Sequence, residues 1–375
     1  MTGRQYTYEM AYNMSKQFGS ALLRMGAKKG DVLAMVVPNI PEFCIAYLGA
    51  VGVGVTLTTM NPTYKAGKLE YICIYEMRYS VARQYDFSNV KSYYWIQLIS
   101  DEIARQFENS QSKYVLTIGL FLENIREAAA QYGKIEKIIT LGMEETPEDC
   151  LSFIGMLIVD DGSLYQKDYT CDPHNDIVVL PYSSGTTGPP KGVELTHYNM
   201  VANMCQMMHP DVTILEGEPD EDNQETTVAV LPFFHIYAMN TIMTIGLLNG
   251  VKIVTNPKFD PEMYLKSLVD HKVNIISTLF TFNGIYYKFA VWLLPLFLNL
   301  YFTFKPSYLA LVPPLISFLA THPMVKSSML ESVRAVTGGA APFGPALIEN
   351  FKKKCEPYEV EFREGLLLCS IKYRN

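Results

Sequence analysis

The sequence has no two cysteines spaced as CxxC, no excess of positive charge and no N-terminal run of basic then apolar residues. Each absence removes a class of protein. Seven cysteines, at 44, 73, 150, 171, 205, 355 and 369, form an odd and scattered set. That set fits reduced thiols in a reducing compartment better than a disulfide frame or a zinc site. Thirty-one basic against 38 acidic residues are dispersed along the chain for a net charge of −7, which leaves no electrostatic footprint for nucleic acid. The opening MTGRQYTYEM lacks the pattern of a secretory signal. Long apolar runs are scarce as well. FAVWLLPLFLNLYFTF, Phe289 to Phe304, carries no charge, lies between Lys288 and Lys305 and follows Tyr286 and Tyr287, an aromatic flank of the kind seen at bilayer interfaces. It is shorter than the about 20 apolar residues a span requires and contains Pro295 and Asn299. Membrane contact through 285–304 is therefore an alternative and not the favoured reading.

What is present is enough to fold. With 375 residues, 49% of them hydrophobic, the chain can bury a large core as one big domain or two ordinary ones. Ala11, Met14, Phe18, Leu22 and Met25 recur at three- and four-residue steps, which predicts a helix over 8–25 ended by Gly26. Asp31 to Val37 reads as a buried strand, Pro41 to Val53 as a helix opened by proline, and Val55 to Thr59 as a second strand. The order continues with helix 102–109, strand 114–118, helix 124–132 and strand 135–141. Alternation of this kind predicts an α/β architecture, parallel sheets flanked by helices. Two segments break the rhythm, Lys65 to about Ile99 and Phe280 to Leu311, neither of which holds a sustained period.

DIVVLPYSSGTTGPPKGVELTH reads as strand, loop, strand. In the loop, Ser183, Ser184, Gly185, Thr186, Thr187 and Gly188 offer backbone N–H groups with little obstruction and four hydroxyls, a combination able to wrap phosphate oxygens. Lys191 adds the positive point charge that a polyphosphate requires. Val193 to Thr196 look extended, which separates this loop from the GxxxxGK phosphate loop that opens a helix. A solvated turn between two strands is the bland alternative for the glycine and threonine run taken alone.

The complete string resembles the signature loop of the adenylate-forming enzymes: acyl-CoA synthetases, beetle luciferases and 4-coumarate:CoA ligases. Its nearest likeness is the 4-coumarate:CoA ligase-like branch, whose pattern LPYSSGTTGxPKGVxLTH is matched by Leu180 to His197. LPFFHIYAMN, Leu231 to Asn240, resembles the block that borders the acyl pocket, which carries over to His235 and Tyr237. TGGAAP, Thr337 to Pro342, resembles the segment that lies along the adenine, which carries over to Gly339, Ala340, Ala341 and Pro342. GDVLAMVVPNIPEF and NPTY, the latter Asn61 to Tyr64, look like the opening βα units.

The resemblance implies a large N-terminal adenylation domain and an ATP-dependent acid:CoA ligase. A carboxylate would be joined to the α-phosphate of ATP with loss of pyrophosphate, and the acyl group then passed to the thiol of coenzyme A. Thr186, Thr187 and Lys191 would hold the β- and γ-phosphates, His235 and Tyr237 would meet the acid, and magnesium would neutralise the remaining charge if a carboxylate held it. The implied partner is a small carboxylic acid of the coumaric or fatty type. The implied compartment is intracellular, cytoplasmic or peroxisomal, although Tyr373, Arg374 and Asn375 do not form a peroxisomal tripeptide of the SKL kind.

The likeness also has gaps. After VEFREG the relatives continue with a GYGMTE-type motif that supplies the metal-binding glutamate; this sequence reads LLLCSIKYRN from Leu366. The later ribose-binding aspartate and the lid with its catalytic lysine have no counterpart. Removing 65–99 or 280–311 restores the family pattern at each seam. The expectation is an incomplete adenylation domain over 1–365, interrupted by non-family inserts at about 65–99 and 280–311 and followed by a divergent tail at 366–375. Ligase activity is expected to be impaired. The alternative is a catalytically inactive nucleotide-binding remnant.

Overall fold

Thr7 opens the first helix by accepting a hydrogen bond from the N–H of Met10, and α1 runs Tyr8–Arg24. Gly26 follows at φ +100°, where only glycine is unstrained, so the chain turns out of the helix there. The computed structural model describes residues 3–61, 100–143, 145–165, 169–183, 191–209, 224–257, 261–271, 273, 275–277, 308–311, 313–321, 323, 325–338, 344–364 and 372–373. The chain divides into two bodies, Gly3–Met200 with Ser370–Asn375, and Val201–Cys369.

In the first body β1 (Val32–Val36), α2 (Pro41–Val51) and β2 (Thr56–Thr59) form the expected strand, helix, strand unit, with proline in the first turn of α2. Helix α3 covers 100–110. It is followed by β3 (Ser112–Ile118), α4 (Leu122–Tyr132), β4 (Lys137–Leu141), β5 (Cys150–Ser152) and α5 (Phe153–Val159). Then come β6 (Ile177–Leu180), β7 (Tyr182–Ser183) and β8 (Lys191–Thr196). Strand order is β8-β6-β2-β1-β3-β4-β5, and β1 pairs in parallel with both β2 and β3. All five residues of β1 are buried, as a strand covered on both faces requires.

Thr58 and Thr117 in the interior of this sheet have protein partners for their hydroxyls. Thr58 Oγ1 donates to Leu180 O at 3.0 Å and accepts from Gln106 Nε2 at 3.1 Å, while Thr117 Oγ1 donates to Val36 O at 3.1 Å. Helices α1 and α2 meet at glycines. A Cβ added to Gly49 would stand 2.6 Å from Ser15 O, and one added to Gly19 would stand 2.5 Å from Gly49 O, so the two backbones touch where neither residue carries a side chain.

The first sheet is parallel from β6 through β2, β1, β3 and β4 to β5, as expected, and mixed at its edge, because β6 and β8 pair antiparallel. The cause is the short path between them: a parallel return needs a crossover of about a dozen residues or more, and the chain passes straight through β7 into a hairpin. Lys372–Tyr373, from the divergent tail, add an antiparallel strand on the far side of β8, opposite Val193 and Glu194.

The second body begins within α6 (His197–Met207) and carries a sheet of β9 (Thr226–Ala229), β10 (Lys252–Thr255), β11 (Ile275–Ser277), β12 (Tyr308–Leu311), β13 (Ala335–Gly338) and β14 (Glu361–Glu364). Their order is β10-β9-β11-β12-β13-β14, with every described pairing parallel. Helices α7 (Ile245–Leu248), α8 (Pro261–Asp270), α9 (Pro313–Thr321) and α10 (Pro345–Cys355) accompany it. Leu309 of β12 is fully buried in the core with Val228, Tyr264, Ile316, Val336 and Phe351. The last four residues of the segment 280–311 are thus an interior strand of this sheet; its residues 280–307 lie outside the described residues, as do 65–99.

The run Phe289 to Phe304 also lies outside them. Among the described residues no helix is long and apolar enough to cross a membrane. Cys44, Cys150, Cys171, Cys205 and Cys355 are free thiols.

Candidate functional site

The strands expected on either side of the glycine-rich stretch are present. β7 and β8 pair antiparallel with Tyr182 opposite Gly192 and Ser183 opposite Lys191. Ser183 and Lys191 are thus brought together as the two sides of the hairpin, and the side chain of Lys191 is exposed. Ser184, Gly185, Thr186, Thr187 and Gly188 lie outside the described residues.

What holds the hairpin was not singled out in the sequence. A Cβ on Gly192 would come within 3.1 Å of the Tyr182 ring and 3.3 Å of Asn109 Oδ1, so glycine there lets the ring lie across the neighbouring strand. The Tyr182 hydroxyl donates to Asn109 Oδ1, tying β7 to the end of α3. The signal available beforehand was the glycine itself, placed directly after Lys191.

β8 passes into α6 through a reciprocal cap. The Thr196 N–H donates to Asn199 Oδ1 at 3.0 Å and the Asn199 N–H to Thr196 Oγ1 at 3.3 Å, satisfying two of the donors a helix start leaves open. His197, the last residue of the signature string, stands 3.0 Å from the Tyr169 hydroxyl through Nε2. Burial, the larger cause, lowers the pKa of His197; Lys29 lowers it further and Asp176 opposes both.

In the second body the LPFFHIYAMN block leads from β9 into a π-helix, Ala238–Thr244. Such wide turns are rare and concentrate where side chains are aimed for function. His235 precedes it on the exposed side, yet protein surrounds the ring closely enough that desolvation lowers its pKa. The N–H of Tyr237 donates to His235 Nδ1 at 3.3 Å. With Nδ1 accepting, the neutral ring carries its proton on Nε2, which leaves one N–H to donate. Burial raises the pKa of Tyr237, so its hydroxyl stays protonated. The sequence therefore brought together a donor imidazole and a neutral phenol in one short segment. It gave no indication of the π-helix behind them, although Asn240 in an otherwise apolar stretch was a visible mark.

β13 ends at Gly338, and Gly339, Ala340, Ala341 and Pro342 lie outside the described residues. Among the described residues no group of three or more His, Cys, Asp or Glu could hold a metal ion.

Comparison with known proteins places this geometry. The sequence profile of the AMP-binding enzyme family matches residues 1–75 and 96–282. 4-Coumarate–CoA ligase 1 of Petroselinum crispum is 28% identical over 353 residues, covering 94% of this chain and 51% of that protein. 4-Coumarate–CoA ligase 3 of Oryza sativa subsp. japonica is 30% identical over 356 residues, covering 94% of this chain and 50% of that protein. The chain thus spans about half the length of the curated relatives it matches. Among solved structures, the red-emitting luciferase of Phrixothrix hirtus superimposes with a TM-score of 0.67 at 18% identity, over 97% of this chain and 71% of that one. ATP-bound MatB from Rhodopseudomonas palustris gives a TM-score of 0.61 at 18% identity, over 96% of this chain and 54% of that one. The structures share the fold, and the profile covers well over half the sequence: the chain belongs to the AMP-binding enzyme family.

Proposed function

We propose that the chain is the adenylation body of an ATP-dependent acid:CoA ligase. The observation that carries this reading is the hairpin that sets Ser183 opposite Lys191 across a loop of small hydroxyl and glycine residues, in a chain of this family. Backbone N–H groups and hydroxyls of 183–188 and the Lys191 ammonium would hold the β- and γ-phosphates, lowering the repulsion between a carboxylate and a polyanionic nucleotide. A carboxylate oxygen then attacks the α-phosphorus and the bond to pyrophosphate breaks. The thiol of coenzyme A takes the acyl group from the adenylate, and AMP leaves. His235, neutral with its proton on Nε2, is suited to donate to the substrate carboxylate, and Tyr237 to line the acyl chain or accept a phenol. Gly339, Ala340, Ala341 and Pro342 would lie along the adenine. The acid would be of the cinnamic or fatty class.

Among the described residues no group of three or more His, Cys, Asp or Glu could hold magnesium by itself, so it would rest on the nucleotide phosphates and one or two carboxylates. Leu366 and its successors stand where the relatives carry their GYGMTE-type motif. We therefore expect weak ATP binding and negligible thioester formation by the 375-residue chain. Losing one element that stabilises developing charge typically slows a reaction by about a hundred- to thousandfold. The profile is interrupted only between 75 and 96, which supports an insert there, while it matches residues 65–75 and 96–99 of the segment read as foreign.

The test is titration of the purified chain with ATP, wild type against Lys191→Met, followed by acid-dependent pyrophosphate exchange with cinnamic and fatty acids. ATP retention lost in the variant supports the reading. Equal retention by both proteins sinks the phosphate cradle, and robust acyl-CoA formation sinks the expectation of impairment.

A further inference from the structure

Two buried amides lie behind the His235–Tyr237 segment, and the reaction described above gives neither a role. Asn240, in the π-helix, is 1% exposed, and Asn203, in α6, is 4% exposed. The Asn240 Nδ2 donates to Asn203 Oδ1. The other half of the Asn240 amide is also engaged, because Thr244 Oγ1 donates to Asn240 Oδ1 at 3.0 Å. The same Thr244 hydroxyl lies 2.7 Å from Met239 O and 3.0 Å from Asn240 O, so its one proton is shared among these acceptors, and Asn240 O also accepts from the Ile245 N–H. Asn203 is held in turn by Gln206, with Nδ2 to Oε1 at 3.5 Å. Around this polar chain the neighbours are apolar: Ala238, Met239, Ile242 and Met243 are all buried.

A buried amide in such surroundings is expensive unless every polar atom has a partner, and a fully partnered one selects a single arrangement. The π-helix requires that selection. An α-helical register over 238–244 would rotate every preceding side chain against the rest of the body, and His235 and Tyr237 stand immediately before its first turn. Thr241 Oγ1 on Tyr237 O at 2.6 Å and the Met239 N–H on His235 O at 3.0 Å carry the setting of the π-helix directly to those two residues.

We infer that Asn203 and Asn240 are positioning residues for the acyl substrate: their amide pair locks the π-helix in register and so fixes the direction of the His235 N–H and the Tyr237 ring. This inference rests on the ligase reading for the identity of the ligand, and it concerns carboxylic acid binding and not the nucleotide.

The donor and acceptor roles give the test a direction. Asn203→Leu removes the acceptor that Asn240 needs. Asn240→Asp removes the donor, and Asn240→Leu removes the amide. Amide hydrogen exchange over residues 235–244 in the full chain is measured together with titrations of 4-coumaric acid and of ATP. In Asn240→Leu and Asn240→Asp we expect exchange over that segment to quicken at least about tenfold, coumarate affinity to fall about tenfold, and ATP affinity to stay within about twofold. Asn203→Leu is expected to give the same pattern. A purely structural role would lower both affinities together. Wild-type exchange over 235–244 in Asn240→Leu overturns the inference. So does unchanged coumarate affinity in a variant whose exchange has quickened. If even the wild type binds no acid, the ligase reading fails instead, and the exchange comparison still decides whether the pair sets the turn. Should Asn240→Leu not fold, Thr244→Val, which removes the hydroxyl contacts to Met239 and Asn240 and leaves the Asn203–Asn240 bond, is expected to give the same pattern at smaller amplitude, and wild-type exchange and affinity in it would overturn the inference.

Discussion

Ser183 and Lys191 are register partners across the β7–β8 hairpin, so the ammonium that the sequence places eight positions along the chain returns beside the first hydroxyl residue of the loop. Phosphate binding as proposed for this loop would therefore depend on the hairpin as much as on the residues it encloses. Lys191→Met tests the charge without disturbing the strand, because the side chain is exposed and methionine is of similar length. ATP affinity is expected to fall at least about tenfold, the scale of one charged hydrogen bond, while the thermal midpoint stays put. Isothermal titration and a melting curve on the same sample decide it.

The hairpin has its own anchor in the Tyr182 hydroxyl on Asn109. Tyr182→Phe removes that bond and keeps the ring over Gly192, so stability should drop by about 1 kcal/mol. Gly192→Ala attacks the contact from the other side, with its Cβ only 3.1 Å from the ring. It should cost ATP affinity as well, since the ring must move and the register of Lys191 with it. Urea unfolding of both variants, with nucleotide titration of the second, checks the pair; an unaltered Gly192→Ala protein would show that the strand has room to spare.

The crossing of α1 and α2 is a purely steric claim. Gly49→Ala puts a methyl group 2.6 Å from Ser15 O, a backbone atom that cannot step aside without moving the helix. Overpacking of this kind costs about 1–3 kcal/mol. Denaturant midpoints compared with Gly26→Ala, where the penalty comes from the positive φ and no atom stands within 4 Å, separate the two causes.

Histidine burial sets a pH dependence. His197 and His235 are both lowered below the ordinary 6.5 by desolvation. A base held neutral by the fold protonates more readily when unfolded. The stability it contributes is present above its unfolded pKa and is lost as pH falls from about 6.5 through the lower folded value. For His197 the neighbouring Asp176 softens the effect and Lys29 strengthens it. Unfolding free energy measured from pH 7.5 to 5.5 should decline, and His197→Gln, able to keep a bond to Tyr169, should flatten the decline. Parallel slopes for the two proteins would falsify the assignment to His197.

Much of this was written in local pattern. The apolar spacing of Ala11, Phe18 and Leu22 marked α1, Pro41 marked the start of α2, and the signature string announced the strands that pair as β7 and β8, because helix faces, caps and paired strands joined by a short connection are built from residues close together in the chain. Other features had no local trace. The antiparallel return of β8, the burial of Leu309 inside a segment that reads as foreign, the Tyr182 bond to Asn109 and the pairing of Asn203 with Asn240 each join residues that only packing brings within reach. Periodicity constrains neighbours in sequence, whereas a buried hydroxyl or amide must find its partner wherever the fold supplies one.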